Sequence, residues 1–140
     1  MVIRPVGYWV KRLDGALEAL LDATLAQLRL TRRQWQVLNT LSTGPATPTE
    51  LGDALRPFSL ADGTGAHERD MASLVQRQLV FLQDGLLALT APGTALHAKA
   101  NRLVEAARED LTAGVGADEY AIAVSVLERM CNNAGRIIAR

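Results

Sequence analysis

The sequence predicts a mainly α-helical chain with one small β-hairpin, and three observations predict it. Residues 79–90 read Leu-Val-Phe-Leu-Gln-Asp-Gly-Leu-Leu-Ala-Leu-Thr, two apolar runs split by Asp84-Gly85. Both central residues of a two-residue type I′ turn need φ > 0, which Asp and Gly tolerate best. Three short helical stretches precede this hairpin, and long amphipathic stretches occupy both ends of the chain. A lone hairpin is barely stable in water, so it must lie against helices. Helix, helix, helix, hairpin is the order of a winged helix-turn-helix, which makes nucleic-acid recognition the leading functional expectation.

Leu13, Leu17, Leu20, Leu21, Leu25 and Leu28 recur at steps of three and four and predict a first helix over about residues 5–28. Tyr8 and Trp9 extend the apolar stripe backwards, and Gly15 weakens it by about 1 kcal/mol unless a partner packs closely there. Thr31-Arg32-Arg33-Gln34 is a capping box, with Leu30 and Trp35 at the staple positions. Trp35, Leu38 and Leu41 then face inward until Gly44-Pro45 stops the helix. Thr47-Pro48-Thr49-Glu50 reads as a second box with proline at the first helical position, and Leu51, Ala54 and Leu55 as the buried face behind it. Arg56-Pro57 ends that helix, and residues 58–65 carry the turn signals of a loop.

The next helix is expected to start between Thr64 and Ala66 and to carry Met71, Leu74 and Val75 toward Leu79. After the hairpin, Thr90-Ala91-Pro92 opens a long helix with Leu96, Ala100, Leu103, Ala107 and Leu111 on one face. Gly114 and Gly116 break it, and Asp118 and Glu119 suit the first turn of a last helix. Tyr120, Val124, Leu127, Cys131, Ala134 and Ile138 mark the seam of that helix.

Composition narrows the function. A 49% hydrophobic fraction excludes disorder, and no apolar run is long enough to cross a bilayer. Charge soon interrupts the first residues, unlike a signal peptide, so the expected location is cytoplasmic. A lone cysteine, Cys131, excludes an internal disulfide framework. With 15 basic and 15 acidic residues, bulk charge draws no polyanion; only the local field can. No catalytic constellation, phosphate-cradling glycine motif or metal-ligand cluster is present, so neither an enzyme nor a cofactor or metal is expected.

The strings Leu30-Thr31-Arg32-Arg33-Gln34-Trp35-Gln36-Val37-Leu38, Thr47-Pro48-Thr49-Glu50-Leu51, Leu79-Val80 and Leu89-Thr90-Ala91-Pro92-Gly93 follow a long first helix. In order and spacing the chain resembles, over nearly its whole length, the multiple-antibiotic-resistance regulator (MarR) family of bacterial winged-helix repressors. The resemblance implies one domain over residues 1–140, with a reading head at 30–90 and dimerisation helices at 1–29 and 91–140. It implies a homodimer on pseudo-palindromic double-stranded DNA, whose affinity small, often aromatic, ligands can lower. Three departures stand against it. The loop at 58–65 is longer than the family's usual turn, and the wing tip Gln83-Asp84-Gly85 lacks the family's arginine. Residues 34–90 hold three basic residues against six acidic ones, an awkward surface to bring to phosphate.

The candidate DNA contacts each have a plainer alternative. On a helix entering the major groove over residues 66–78, Thr64, Gly65, Ala66, Glu68, Arg69 and Ser73 are the exposed early positions. Arg69 can reach guanine bidentately and Glu68 can accept from a cytosine amine; alternatively Arg69 pairs with neighbouring acids. Arg32 and Arg33 at a helix start, Arg77, and the backbone of the hairpin at Gln83 and Gly85 are candidates for phosphate. Thr47 and Thr49 share that opportunity, although capping alone explains them.

Trp9, Trp35 and Phe58, with Tyr8, either line a ligand pocket or are core, and His67 is either a half-buried hydrogen-bonded residue or ligand- or pH-responsive. His97 has no metal-ligand neighbours at the right spacing. Cys131 reads as a small buried hydrophobe rather than a redox switch. The terminal helices carry more apolar stripe than one small subunit easily covers, an independent argument for a dimer. The expected function is therefore a dimeric, sequence-specific transcriptional regulator. The rival is a winged-helix dimer that has lost DNA affinity and docks a partner protein.

Overall fold

The computed structural model describes residues 3–56 and 66–140. In chain order the elements are α1 (Val6–Ala26), α2 (Arg32–Ser42), α3 (Pro48–Leu55), α4 (Ala66–Gln76), β1 (Val80–Gln83), β2 (Leu86–Leu89), α5 (Ala91–Leu111) and α6 (Ala117–Ile138). They fall into two compact units, Met1–Ala107 and Arg108–Arg140. No helix among the described residues is long and apolar enough to cross a membrane.

The first unit is built around one apolar cluster. Leu25 comes from the end of α1, Val37, Leu38 and Leu41 from α2, Leu51 and Leu55 from α3, and Leu74 from α4. Leu79, Val80 and Leu87 join it from the hairpin and its approach, and Ala100 and Val104 from α5. Leu25, Val37, Leu38 and Leu74 are all 0% exposed. Burial of each such side chain contributes about 1.5–3 kcal/mol, which lets short helices and a two-stranded sheet hold together.

Local chemistry sets the element boundaries. Thr31 Oγ1 accepts from the Gln34 N–H (3.1 Å) and Gln34 Oε1 accepts from the Thr31 N–H (3.0 Å), so the first box is complete. Thr47 caps α3 by accepting from the Glu50 N–H, while the Glu50 carboxylate accepts from the Thr47 hydroxyl. Asp84 (φ 53°) and Gly85 (φ 78°) make the type I′ turn that pairs Val80 with Leu89 and Gln83 with Leu86. Ala46 exchanges both backbone hydrogen bonds with Leu87, covering the outer edge of β2. Thr90 Oγ1 accepts from the Gly93 N–H and donates to the Gln78 carbonyl, so one hydroxyl starts α5 and ties it to the end of the α4 turn.

α1 and α4 end alike, and neither end carries a glycine. After α1, Leu30 N–H reaches the Leu25 carbonyl and Arg29 N–H the Ala26 carbonyl. After α4, Leu79 N–H reaches Leu74 and Gln78 N–H reaches Val75. These are Schellman bonds, and they put Arg29 (φ 57°) and Gln78 (φ 59°) in the left-handed region. That conformation costs a residue with a Cβ about 1–2 kcal/mol. Gln78→Gly is therefore expected to stabilise the protein by roughly 0.5–1 kcal/mol, after glycine's greater unfolded-state entropy is deducted. Chemical denaturation checks this, and an unchanged or lower midpoint contradicts it.

Several expectations need correction. α4 ends at Gln76 rather than Gln78, because the left-handed Gln78 cannot continue a helix. Ala54 is exposed: on so short a helix Leu51 and Leu55, one turn apart, make the buried contact. Val75 is 49% exposed because it lies about 100° round α4 from the buried Leu74. Cys131 is exposed, not buried, since no residue of α6 is buried.

The second unit contains α6, started by the Glu119 carboxylate accepting from the Gly116 N–H (2.9 Å). Its seam stays open to solvent, with Tyr120 56%, Val124 46% and Leu127 38% exposed.

Candidate nucleic-acid interface

α3, α4 and the hairpin bring most of the expected reading residues to the surface. Thr49, Glu68, Arg69, Gln83 and Gly85 are exposed, and Thr47, His67, Asp70 and Ser73 are half-buried. Ala66 is the first residue of α4. Phe58, Thr64 and Gly65 lie outside the described residues. Glu68 and Arg69, adjacent on the first turn of α4, put opposite charges side by side.

The expected phosphate-binding arginines have protein partners. Arg32 Nε lies 2.8 Å from Asp22 Oδ1 and its Nη1 3.8 Å from Glu18 Oε1, on an open surface. Arg33 is only 8% exposed and its Nε lies 3.7 Å from Asp70 Oδ2. Arg77 donates through Nη1 to the Arg29 carbonyl (2.7 Å) and through Nη2 to that of Leu28 (3.2 Å). An open cleft of about 440 Å³ runs between the α1–α2 turn and α4, lined by Asp22, Leu30, Thr31, Arg32, Arg33, Arg69 and Asp70. Arg32 and Arg33 face carboxylates of that same lining, so most of its charge is compensated from within.

The aromatic residues expected around a ligand have different surroundings. Trp9 is 53% exposed and meets Tyr8 edge-on at 5.0 Å. Trp35 packs against the core and donates through Nε1 to Asn101 Oδ1 (3.3 Å). Among the described residues no group of three His, Cys, Asp or Glu is placed to hold a metal ion.

Sequence reading missed the junction between α2 and α5. His97 Nε2 stands 2.5 Å from Asn39 Oδ1 and 3.3 Å from Asn101 Nδ2. Asn101 Oδ1 in turn accepts from Trp35 Nε1, so these side chains form one linked group. Desolvation by burial lowers the His97 pKa below its ordinary 6.5. The unfolded chain therefore takes up this proton first as pH falls. Its contribution to stability is present above pH 6.5 and is lost as pH falls through the folded-state value. Denaturation midpoints are expected to drop between neutral and mildly acidic pH, and His97→Gln should remove part of that drop. An identical pH profile in the variant contradicts the assignment.

No protein-family model and no curated sequence matches the chain. Solved structures do. The reduced form of MarR from E. coli is 29% identical, covers 92% of this chain and 95% of its own, and superposes with a TM-score of 0.69. The chain has the winged-helix fold of the MarR family. A MarR family protein of Mycobacterium tuberculosis in complex with DNA is 26% identical, with 91% and 98% coverage and a TM-score of 0.71. A mutant E. coli MarR complexed with operator DNA is 27% identical, with 90% and 93% coverage and a TM-score of 0.65. In that winged-helix fold the β1–β2 hairpin is the wing. The fold is that of DNA-binding transcriptional regulators.

Proposed function

We propose that the protein is a dimeric transcriptional regulator that reads duplex DNA by sequence through α4. The observation that carries this reading is the presentation of Glu68 and Arg69 on the open first turn of α4, between a capped α3 and a type I′ wing. Structural neighbours sharing this architecture over 90% or more of the chain include two solved with DNA. In this reading Arg69 and Glu68 supply base contacts in the major groove, with Ala66 and Ser73 beside them. Thr47, Thr49 and Arg32 supply phosphate contacts, as do the backbone amides of Gln83 and Gly85.

The open seam of α6 supports the dimer. A 22-residue amphipathic helix that buries no residue gains nothing from its apolar stripe without a partner. Two reading heads related by two-fold symmetry then address half-sites about 34–36 Å apart. DNA as the partner places the protein in the cytoplasm.

One feature favours a second reading, a protein-docking module. The wing carries no cation, and its Phe81, Leu82 and Leu86 are 39%, 60% and 40% exposed. Selection from a random duplex library separates the two. The regulator enriches a pseudo-palindrome with half-sites one helical turn apart. A pool that stays random after repeated rounds favours docking.

A further inference from the structure

We propose that Asp70 and Arg77 are positioning residues that fix the pose of α4 against the corner between α1 and α2. The claim rests on α4 being the reading helix, but its structural part stands without DNA. α4 is held at two places. Near its start, Asp70 receives the buried Arg33 side chain at 3.7 Å, and its carbonyl accepts from Gln34 Nε2 at 3.4 Å. Just past its end, the Arg77 guanidinium spans the carbonyls of Leu28 and Arg29. Those carbonyls belong to the turn that ends α1, where a cation is favoured by the helix dipole.

The two ties lie seven residues apart, about 10 Å along the helix. Between them Leu74 makes the apolar contact. Apolar burial is non-directional and tolerates rotation of α4 about its own axis. The hydrogen bonds from Gln34 to the Asp70 carbonyl and from Arg77 to Leu28 and Arg29 are directional and do not, and the Arg33–Asp70 ion pair adds charge attraction at the first tie. The rotation matters because Glu68 and Arg69 are about 100° apart, so a roll of a few tens of degrees takes both side chains off the alignment that base contacts require.

Hydrogen exchange on the DNA-free protein tests the structural part, using Asp70→Asn, Arg77→Met and Arg77→Lys. Loss of a charge-assisted tie is expected to speed exchange at the Leu74, Val75 and Gln76 amides by about tenfold or more. Val37 and Leu38 in α2 should change little, and Arg77→Lys should recover part of the protection. Equal acceleration in α2 and α4, or none in α4, overturns the proposal.

A DNA arm tests the consequence. Asp70→Asn and Arg77→Met should narrow the ratio of selected-duplex to random-duplex affinity while leaving random-duplex affinity unchanged. A uniform loss on both duplexes with a shallower salt slope at Arg77→Met makes Arg77 a phosphate contact and overturns its positioning role. If the wild type binds no duplex at all, the regulator reading falls and hydrogen exchange alone decides the ties.

Discussion

Replacing Gly93 with alanine is expected to destabilise the protein by about 3 kcal/mol, in the range of core overpacking. A Cβ at Gly93 would lie 3.0 Å from the Leu79 carbonyl carbon and closer still to its oxygen. Both sides of that clash are backbone, so no rotamer change relieves it. The same Leu79 carbonyl accepts from the Thr90 N–H, and Thr90 Oγ1 in turn accepts from the Gly93 N–H. Pushing α5 away from Leu79 therefore loosens the start of α5 and the base of the wing together. Thermal unfolding should show a midpoint lowered by roughly 10 °C. A midpoint within about 2 °C of wild type would mean that the approach of α5 to Leu79 is not close in solution.

The second large effect concerns α6. Leu127 lies on its seam and is 38% exposed in the single chain. On a monomer, Leu127→Asp costs about 1 kcal/mol in helix propensity and partial burial and leaves the oligomeric state unchanged. On a dimer it buries a carboxylate in an apolar interface, and self-association should weaken by about 100-fold or more. Ser125→Asp, on the opposite side of the helix, is the control and should leave association unchanged. Sedimentation velocity across a concentration series reads both. A wild type that stays monomeric at micromolar concentration, or a Leu127→Asp variant that associates as wild type does, contradicts the dimer.

Much of the fold was legible because its signals are local. Thr31 with Gln34, Thr47 before Pro48, Asp84-Gly85 and Thr90 before Pro92 each specify a boundary through contacts within a few residues. The left-handed turns at Arg29 and Gln78 were not legible, since neither position holds the Gly or Asn that usually marks one. Tertiary packing imposes them, placing Leu30 and Leu79 in the core.

The candidate site was legible only in part. Glu68 and Arg69 follow from helical phase. The surroundings of Arg33, Arg77 and His97 depend on partners 37, 48 and 58 residues away in sequence, which no local pattern records. The exposure of Cys131 escaped for a related reason. An apolar seam predicts burial without saying whether the covering surface belongs to the same chain.

Salt dependence of binding to the selected pseudo-palindrome, beside a scrambled duplex of equal length, tests the central claim most directly. The account predicts affinity for both duplexes falling with salt between about 50 and 200 mM, as released counterions require. It also predicts the selected duplex to bind at least about 10³-fold more tightly than the scrambled one. Equal affinities, or no binding to either duplex at the lowest salt, would contradict it and leave the wing and α4 as surfaces for another protein.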